Sequence, residues 1–507
     1  MGSARRLADR LDVTEKSVND WLKKSEEDLR RLRHDHLDAI ERVAIELGLP
    51  IDQFRPTVPL WNIRAPFDEN MSAPMPAAPN PKTPFRNQRV HLLGTIVNSP
   101  IVIGASDFTN TSERAGYFLH SGADMVVLRT RCSEASPPRW PVQTFFCAPG
   151  QSVLSEPLLG TPEIRVTDSA DPADARNGVV ASFRWTSPPP SVWQECLRET
   201  TQRALAGQLV VQSVVGVRKN GESIERYIED WIRVIELAAA GGASTVELDF
   251  SNSPCPELNA APFRDPILAK RILRAASHIK VTKLVKIGHV VGDQLRILLD
   301  AIVSGGLIQG VSAINCPEVR AYYQYADGTR FNLDGARVYL AGHLILPLAQ
   351  QCITEIANLR AKSGYKDLSL IGGGGIGTQA DFESLMECGA DAVQVASAFY
   401  FRSDFHYNLR LALDAKGEKQ ATTAELDLEI AIANFTKAGL EIAKDHPDKA
   451  GWANKAISAA QAQTAHWIHR RNEVASLGPM RPARAPTLKE CIDQVRKRLN
   501  AELAELK

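Results

Sequence analysis

No stretch of this 507-residue chain is apolar for long enough to cross a membrane. The greasiest runs are about ten residues and are broken by Gly, His or Pro, whereas a spanning helix needs roughly 20. The opening MGSARRLADR carries no apolar core of a secretory signal. Cysteine is scarce: the chain has 8, scattered, with no CxxC pair and no Cys/His ligand spacing. That argues against a disulfide framework, a zinc site and an iron–sulfur cluster, so no metal is expected. An excess of one charge sign is also missing. Lys+Arg and Asp+Glu are each 59, which leaves no global basic field to gather nucleic acid. A cytoplasmic chain with reduced thiols and no membrane partner is the expectation. Composition is 44% hydrophobic and 23% charged, ordinary globular usage that excludes a mostly disordered chain.

Four zones follow from pattern. Residues 1–58 are charged and helical, and residues 59–94 form a Pro-rich linker that contains PMPAAPNPKTP at 74–84. Residues 95–418 alternate short apolar runs with helical segments, and residues 419–507 read as a C-terminal helical extension. The strand candidates in the third zone are IVIGAS (101–106), DMVVLR (124–129), LVVQSVVGV (209–217) and TVELDF (245–250). KLVKIG (283–288), GVSAIN (310–315), LSLIGG (368–373) and AVQVAS (392–397) complete the set. Each is a nearly continuous apolar run, as parallel strands covered on both faces should be. Helical stretches such as 223–242 and 379–390 lie between them and end in or near Gly. The series predicts an α/β fold, a (β/α)8 TIM barrel, with a doubly wound open sheet as the competing architecture.

In such a barrel, chemistry sits at the C-terminal ends of the strands. The first strand ends in Gly104-Ala105-Ser106, small residues against which a flat ligand can lie, and the second brings Arg129. The fifth carries Lys286 inside an apolar run, where an unpaired ammonium is costly. The sixth ends in Asn315-Cys316. The seventh runs into Gly372-Gly373-Gly374-Gly375-Ile376-Gly377, and the eighth ends in Ala396-Ser397. Glycines there let main-chain N–H groups cradle a phosphate, helped by a helix N-terminus. Polar groups suited to the edge of a planar ring, joined to a phosphate grip, describe a flavin mononucleotide (FMN) pocket.

From about Ser99 to Phe401 the chain resembles the FMN-dependent dihydroorotate dehydrogenase family, which includes the flavin domain of dihydropyrimidine dehydrogenase. SPIVIGAS, VELDF…NSPCP, VKIG, AINC and LIGGGGIGTQADFESLMECGADAVQVASAFY carry the likeness. The resemblance implies that Ala105 and Ser106 lie near the flavin ring, with Arg129 beside flavin and substrate. It gives Lys286 contacts to ring and ribityl chain, and Asn315 contacts to flavin and substrate. Gly342, Gly374, Gly375, Ala396 and Ser397 would hold the phosphate. Asn252 would bind substrate and Cys255 would be the general acid/base. The implied reaction oxidises or reduces a CH–CH bond of a dihydropyrimidine-like substrate. An ungapped match instead places Asp249 and Asn252 at the Asn and Cys positions, Glu257 stands where the family has a second Asn, and Arg129 replaces a lysine. The substrate therefore stays open.

NSPCP also resembles the loop of tRNA dihydrouridine synthases, another FMN barrel. Residues 4–24 resemble a Cro/repressor-type helix-turn-helix, which makes DNA a second candidate partner through residues 1–58. Residues 1–55 hold 11 Lys+Arg against 12 Asp+Glu, so the basic footprint of a DNA-binding domain is missing and a protein-interaction module competes with it. A regulator with a pyrimidine- or flavin-sensing barrel is the third reading. A homo-oligomer is expected, with the terminal helices at its interface or over the barrel.

Overall fold

The computed structural model describes residues 67–76, 85, 88, 90–136, 144–148, 162–167, 178–181, 186–251, 261–325, 328–332, 338–362, 365 and 367–414. The chain divides into two compact units, Met1–Leu411 and Ala412–Lys507, and the barrel belongs to the first. The helix-turn-helix-like segment 1–58 and the extension 419–507 lie outside the described residues.

In chain order the strands begin with β1 (Val90–Leu92), β2 (Thr95–Val97), β3 (Ile101–Ile103), β4 (Met125–Arg131), β5 (Thr144–Cys147) and β6 (Glu163–Thr167). Next come β7 (Gly178–Ala181), β8 (Leu209–Val214), β9 (Thr245–Asp249), β10 (Thr282–Ile287) and β11 (Gly310–Ala313). The last are β12 (Glu318–Gln324), β13 (Arg330–Asn332), β14 (Val338–Gly342), β15 (Ser369–Gly373) and β16 (Ala392–Val395). Strands β3, β4, β8, β9, β10, β11, β15 and β16 close into one barrel in that order, with parallel neighbours throughout. These are the eight apolar runs of the sequence; most stop short of their last residues, whereas β4 continues two residues further, to Arg131. The competing open sheet is excluded by the closure.

Local chemistry sets the intervening helices. In Ile224–Ala240, Ser223 caps the N-terminus by accepting from the Arg226 N–H, and the chain leaves the helix at Gly241. Tyr227, Trp231, Val234, Ile235 and Ala238 form its buried face at helical spacing. Helix Gln379–Glu387 starts with a reciprocal capping box between Thr378 and Asp381.

The lower half of the barrel is apolar. Val102, Met125, Val127, Val211, Leu284, Ile371 and Ala392 pack there against Leu92, Leu93 and Val97 of the β1–β2 hairpin, which plugs the end opposite the strand C-termini. The Leu93 N–H donates to Ser369 Oγ at 2.8 Å. The stretch read as linker therefore contributes part of the core, and it also holds a short helix, Phe67–Ser72.

A second, smaller barrel was not anticipated. Strands β5, β6 and β7 come from the insertion after β4, and β12 and β14 from the segment after β11. They close as a five-stranded mixed ring through a parallel β12–β6 pairing, with β13 attached to β12. No described helix is long and apolar enough to cross a membrane.

Behind strands β3 and β4 sits a fully buried imidazole. His406 Nε2 lies 2.5 Å from Ser121 Oγ, among Tyr117, Phe118 and Phe399. Burial pulls its titration from 6.5 down to about 3. The folded state thus holds it neutral, and the stability this contributes, present above pH 6.5, drains away as pH falls toward 3. Urea melts should show His406→Gln removing about 2 kcal/mol of the stability lost between neutrality and about pH 5; an unchanged pH slope contradicts the assignment. Leu92→Ala should cost about 2–5 kcal/mol by opening a cavity in the plug, and a loss below about 1 kcal/mol would mean the hairpin is not part of the core.

Candidate active site

A cavity of ≈ 1030 Å³, counting the space that opens to solvent, occupies the C-terminal end of the large barrel. All ten residues assigned to a cofactor from sequence line it. Ala105 and Ser106 follow β3, Arg129 lies on β4, Lys286 on β10 and Asn315 after β11. Gly374 and Gly375 follow β15, and Ala396 and Ser397 follow the adjacent β16. Gly342, at the end of β14, is delivered by the small barrel, which also adds Tyr339 and Ala341. Asn252 and Cys255 lie outside the described residues.

The glycine side is bare main chain by necessity. Gly374 has φ +110° and Gly375 φ +88°, a region that side chains rarely adopt. A Cβ on Gly375 would fall 2.6 Å from the Leu346 nitrogen, and one on Gly374 would sit 3.0 Å from Ile314. The expected help from a helix N-terminus is redirected, because that N-terminus is already occupied by its own carboxylate. The N–H groups of Gly377 and Thr378 donate to Asp381 Oδ2 at 3.0 and 2.9 Å, with His343 Nδ1 at 3.4 Å. Burial opposes ionisation of Asp381, but these hydrogen bonds, His343 first, outweigh it and hold the carboxyl below its usual range. The main chain that lines the cavity here is that of the preceding turn, Gly374–Ile376, and of Ser397 and Tyr400 in the short helical turn Ser397–Tyr400.

Above the apolar lower half, the inward positions turn polar. Glu247 of β9 is fully buried, and one of its oxygens accepts from Gln394 Nε2 at 3.2 Å. Gln394 Oε1 accepts from Ser312 Oγ at 3.3 Å. Lys286 Nζ lies 3.9 Å from Glu247 Oε1. Burial works against the Lys286 charge, yet Glu247 and Asp249 more than restore it and raise its proton affinity. Burial raises the Glu247 titration while Lys286 pulls it back.

The remaining wall carries Arg129, Asp249, Asn315 and Cys316. Arg129 is engaged by the buried carboxylate of Asp107. Burial, reinforced by nearby Arg131, lowers its titration to about 9, which still leaves the guanidinium charged near neutrality. Asp249 accepts from the Ser251 hydroxyl and from the Ser251 N–H at 3.3 Å. Asn315 Nδ2 donates to Ser251 Oγ at 2.7 Å and lies 3.4 Å from both Asp249 oxygens. Asn315 Oδ1 in turn accepts from the Cys316 N–H at 2.9 Å, so the amide is oriented from both ends.

Sequence reading had passed over Glu247, Gln394, Ser312, Asp107, Tyr339 and Tyr400. For the first two, the same signal that singled out Lys286 was available, a polar residue inside an apolar strand. Among the described residues no cluster of three or more His, Cys, Asp or Glu could hold a metal ion.

Two outcomes test this site directly. Gly375→Ala should destabilise the fold by about 1–3 kcal/mol in a denaturant melt, and full stability would show that the turn is not held as described. Burial lifts the Cys316 thiol to about 11, so it is protonated near neutrality. Iodoacetamide should label Cys316 far more slowly than a free thiol, rising about tenfold per pH unit below that value; peptide mapping that shows rapid labelling at neutral pH would refute the assignment. Compared with known proteins, the chain matches no family model and no curated protein.

Proposed function

We propose that the cavity holds FMN and that the protein is an oxidoreductase acting on a CH–CH bond of a dihydropyrimidine-like ring. One observation carries this reading: residues chosen from six separate barrel strands and one insertion line a single cavity. The residues fit the group. The turn Gly374–Gly375 leaves no room for side chains where a phosphate needs main-chain donors. Gly104-Ala105-Ser106 offer a flat wall, and Gly104 is itself confined, since a Cβ there would lie 3.0 Å from Gln394.

Bound there, FMN would supply a two-electron hydride partner that side chains cannot provide. The chain's own residues bind and orient. Lys286 presents a fixed cation from the floor, and Asn315, held by Ser251 and Cys316, offers a pre-set amide to a ring edge. Phe108 packs edge-on against Tyr400 with centroids 4.9 Å apart and closes the wall beside Arg129. The acid/base role at Sγ belongs in this proposal to Cys255, on the resemblance alone. In sequence Cys255 follows β9 by six residues, and Asp249 at the end of that strand lines the cavity. The substrate is a small pyrimidine-like molecule.

Purified full-length protein should show a flavin-type visible spectrum that bleaches on reduction and should release FMN on denaturation. A colourless protein that takes up no added FMN sinks the proposal. Cys255→Ser should then keep FMN but lose about 10²–10⁴-fold in turnover of a dihydropyrimidine; unaltered turnover would move the acid/base elsewhere.

A further inference from the structure

Inward positions of a parallel barrel are ordinarily filled by layers of Val, Ile and Leu, and Val211, Leu284 and Ile371 obey that rule below. Glu247 breaks it. Its side chain is 0% exposed, and a carboxylate so placed costs several kcal/mol unless it is well compensated. Compensation is incomplete: Oε2 accepts from Gln394, but Oε1 finds no hydrogen bond among the described residues and faces Lys286 Nζ across 3.9 Å. As a device for stability alone this is poor, because apolar replacements of buried ion pairs are often neutral or better.

The position of its partners is more informative. In register, Lys286 pairs with Asp249 on one side and with Ser312 on the other, so Glu247 lies one inward step below the cavity. Ser213 on the neighbouring strand also bears on Glu247, but two of its partners, Lys286 and Gln394, line the cavity, while Glu247 does not. Ser312 fixes Gln394 from its other end.

We propose that Glu247 is a positioning residue. It holds Lys286 and Gln394 at the cavity floor and cancels the lysine charge as seen by the bound ring. The inference rests on the FMN reading and goes beyond it, because it assigns control of the cofactor's redox balance to a residue that never meets the cofactor. Reducing a flavin adds electron density to the ring. With Glu247 neutralised, Lys286 keeps Asp249 but loses its nearer carboxylate partner, so more positive charge is felt in the cavity and the reduced form would gain relative to the oxidised one.

The test measures binding of oxidised and reduced FMN to full-length protein, together with the midpoint potential, in wild type, Glu247→Gln, Glu247→Asp and Lys286→Met. Glu247→Gln should favour reduced over oxidised FMN by about tenfold relative to wild type, about 30 mV for a two-electron couple. Lys286→Met should shift the ratio the other way by a similar factor. Glu247→Asp, which keeps the charge, should stay within about threefold of wild type. A purely structural glutamate would weaken both forms equally and leave the ratio alone. An unchanged ratio in Glu247→Gln, or a shift in the same direction as Lys286→Met, overturns the proposal. Should Glu247→Gln fail to fold, an unchanged ratio in Lys286→Met overturns it just as well. Wild-type protein that binds no FMN fails at the first step and refutes the cofactor reading itself, before any variant is compared.

Discussion

Closure of eight parallel strands is the constraint on which the site depends. Each strand is too short to define a pocket, and β3 has only three residues. Closure forces every C-terminal end to one rim, so residues from Gly104 to Ser397 meet over one cavity. Plugging the opposite end with Leu92, Leu93 and Val97 is part of the same solution, since an open lower mouth would leave Val102, Val211 and Ile371 wet. The two longest departures from the βα repeat, after β4 and after β11, then pair with each other rather than with the large barrel. The small barrel they build brings Tyr339, Ala341 and Gly342 to the rim.

The interior divides by height into two chemistries. Below, branched side chains fill the barrel; one step up, Ser312, Lys286, Glu247 and Gln394 form a connected polar layer. Such a layer is expensive to bury, and two of its members, Lys286 and Gln394, line the cavity.

How much of this could be read from the chain follows from what each feature depends on. The eight strands were legible because parallel strands covered on both faces must be continuously apolar, a local property. The Gly374–Gly375 turn was legible because it is a local requirement for bare backbone. The small barrel was not, because its closing contact joins β6 to β12, far apart in sequence, and its strands are short and weakly patterned. The β1–β2 hairpin was hidden for a related reason, since three-residue strands beside a proline-rich tract carry almost no periodicity. Arg129 could be found, but its commitment to Asp107 could not. That pair depends on how the helical turn after β3 stacks on β4.

That last pairing changes the electrostatics of the cavity more than any single residue does. Taken from sequence, Arg129 and Lys286 are two cations at one mouth. In the folded chain Arg129 is bound by Asp107 and Lys286 faces Glu247, so each cation has an acidic partner. Asp249 adds to the support of the Lys286 charge. It accepts hydrogen bonds from Ser251 and Asn315 but forms no ion pair among the described residues. At this wall the cavity presents a carboxyl group and an oriented amide, and at the Gly374–Gly375 turn it presents bare main chain. The two ends have opposite electrostatic preference: anions are favoured at the glycine turn and hydrogen-bond donors beside Asp249. A molecule with a phosphate at one end and N–H groups meeting the other satisfies both at once, whereas a second anion beside Asp249 would be repelled within a low-dielectric wall.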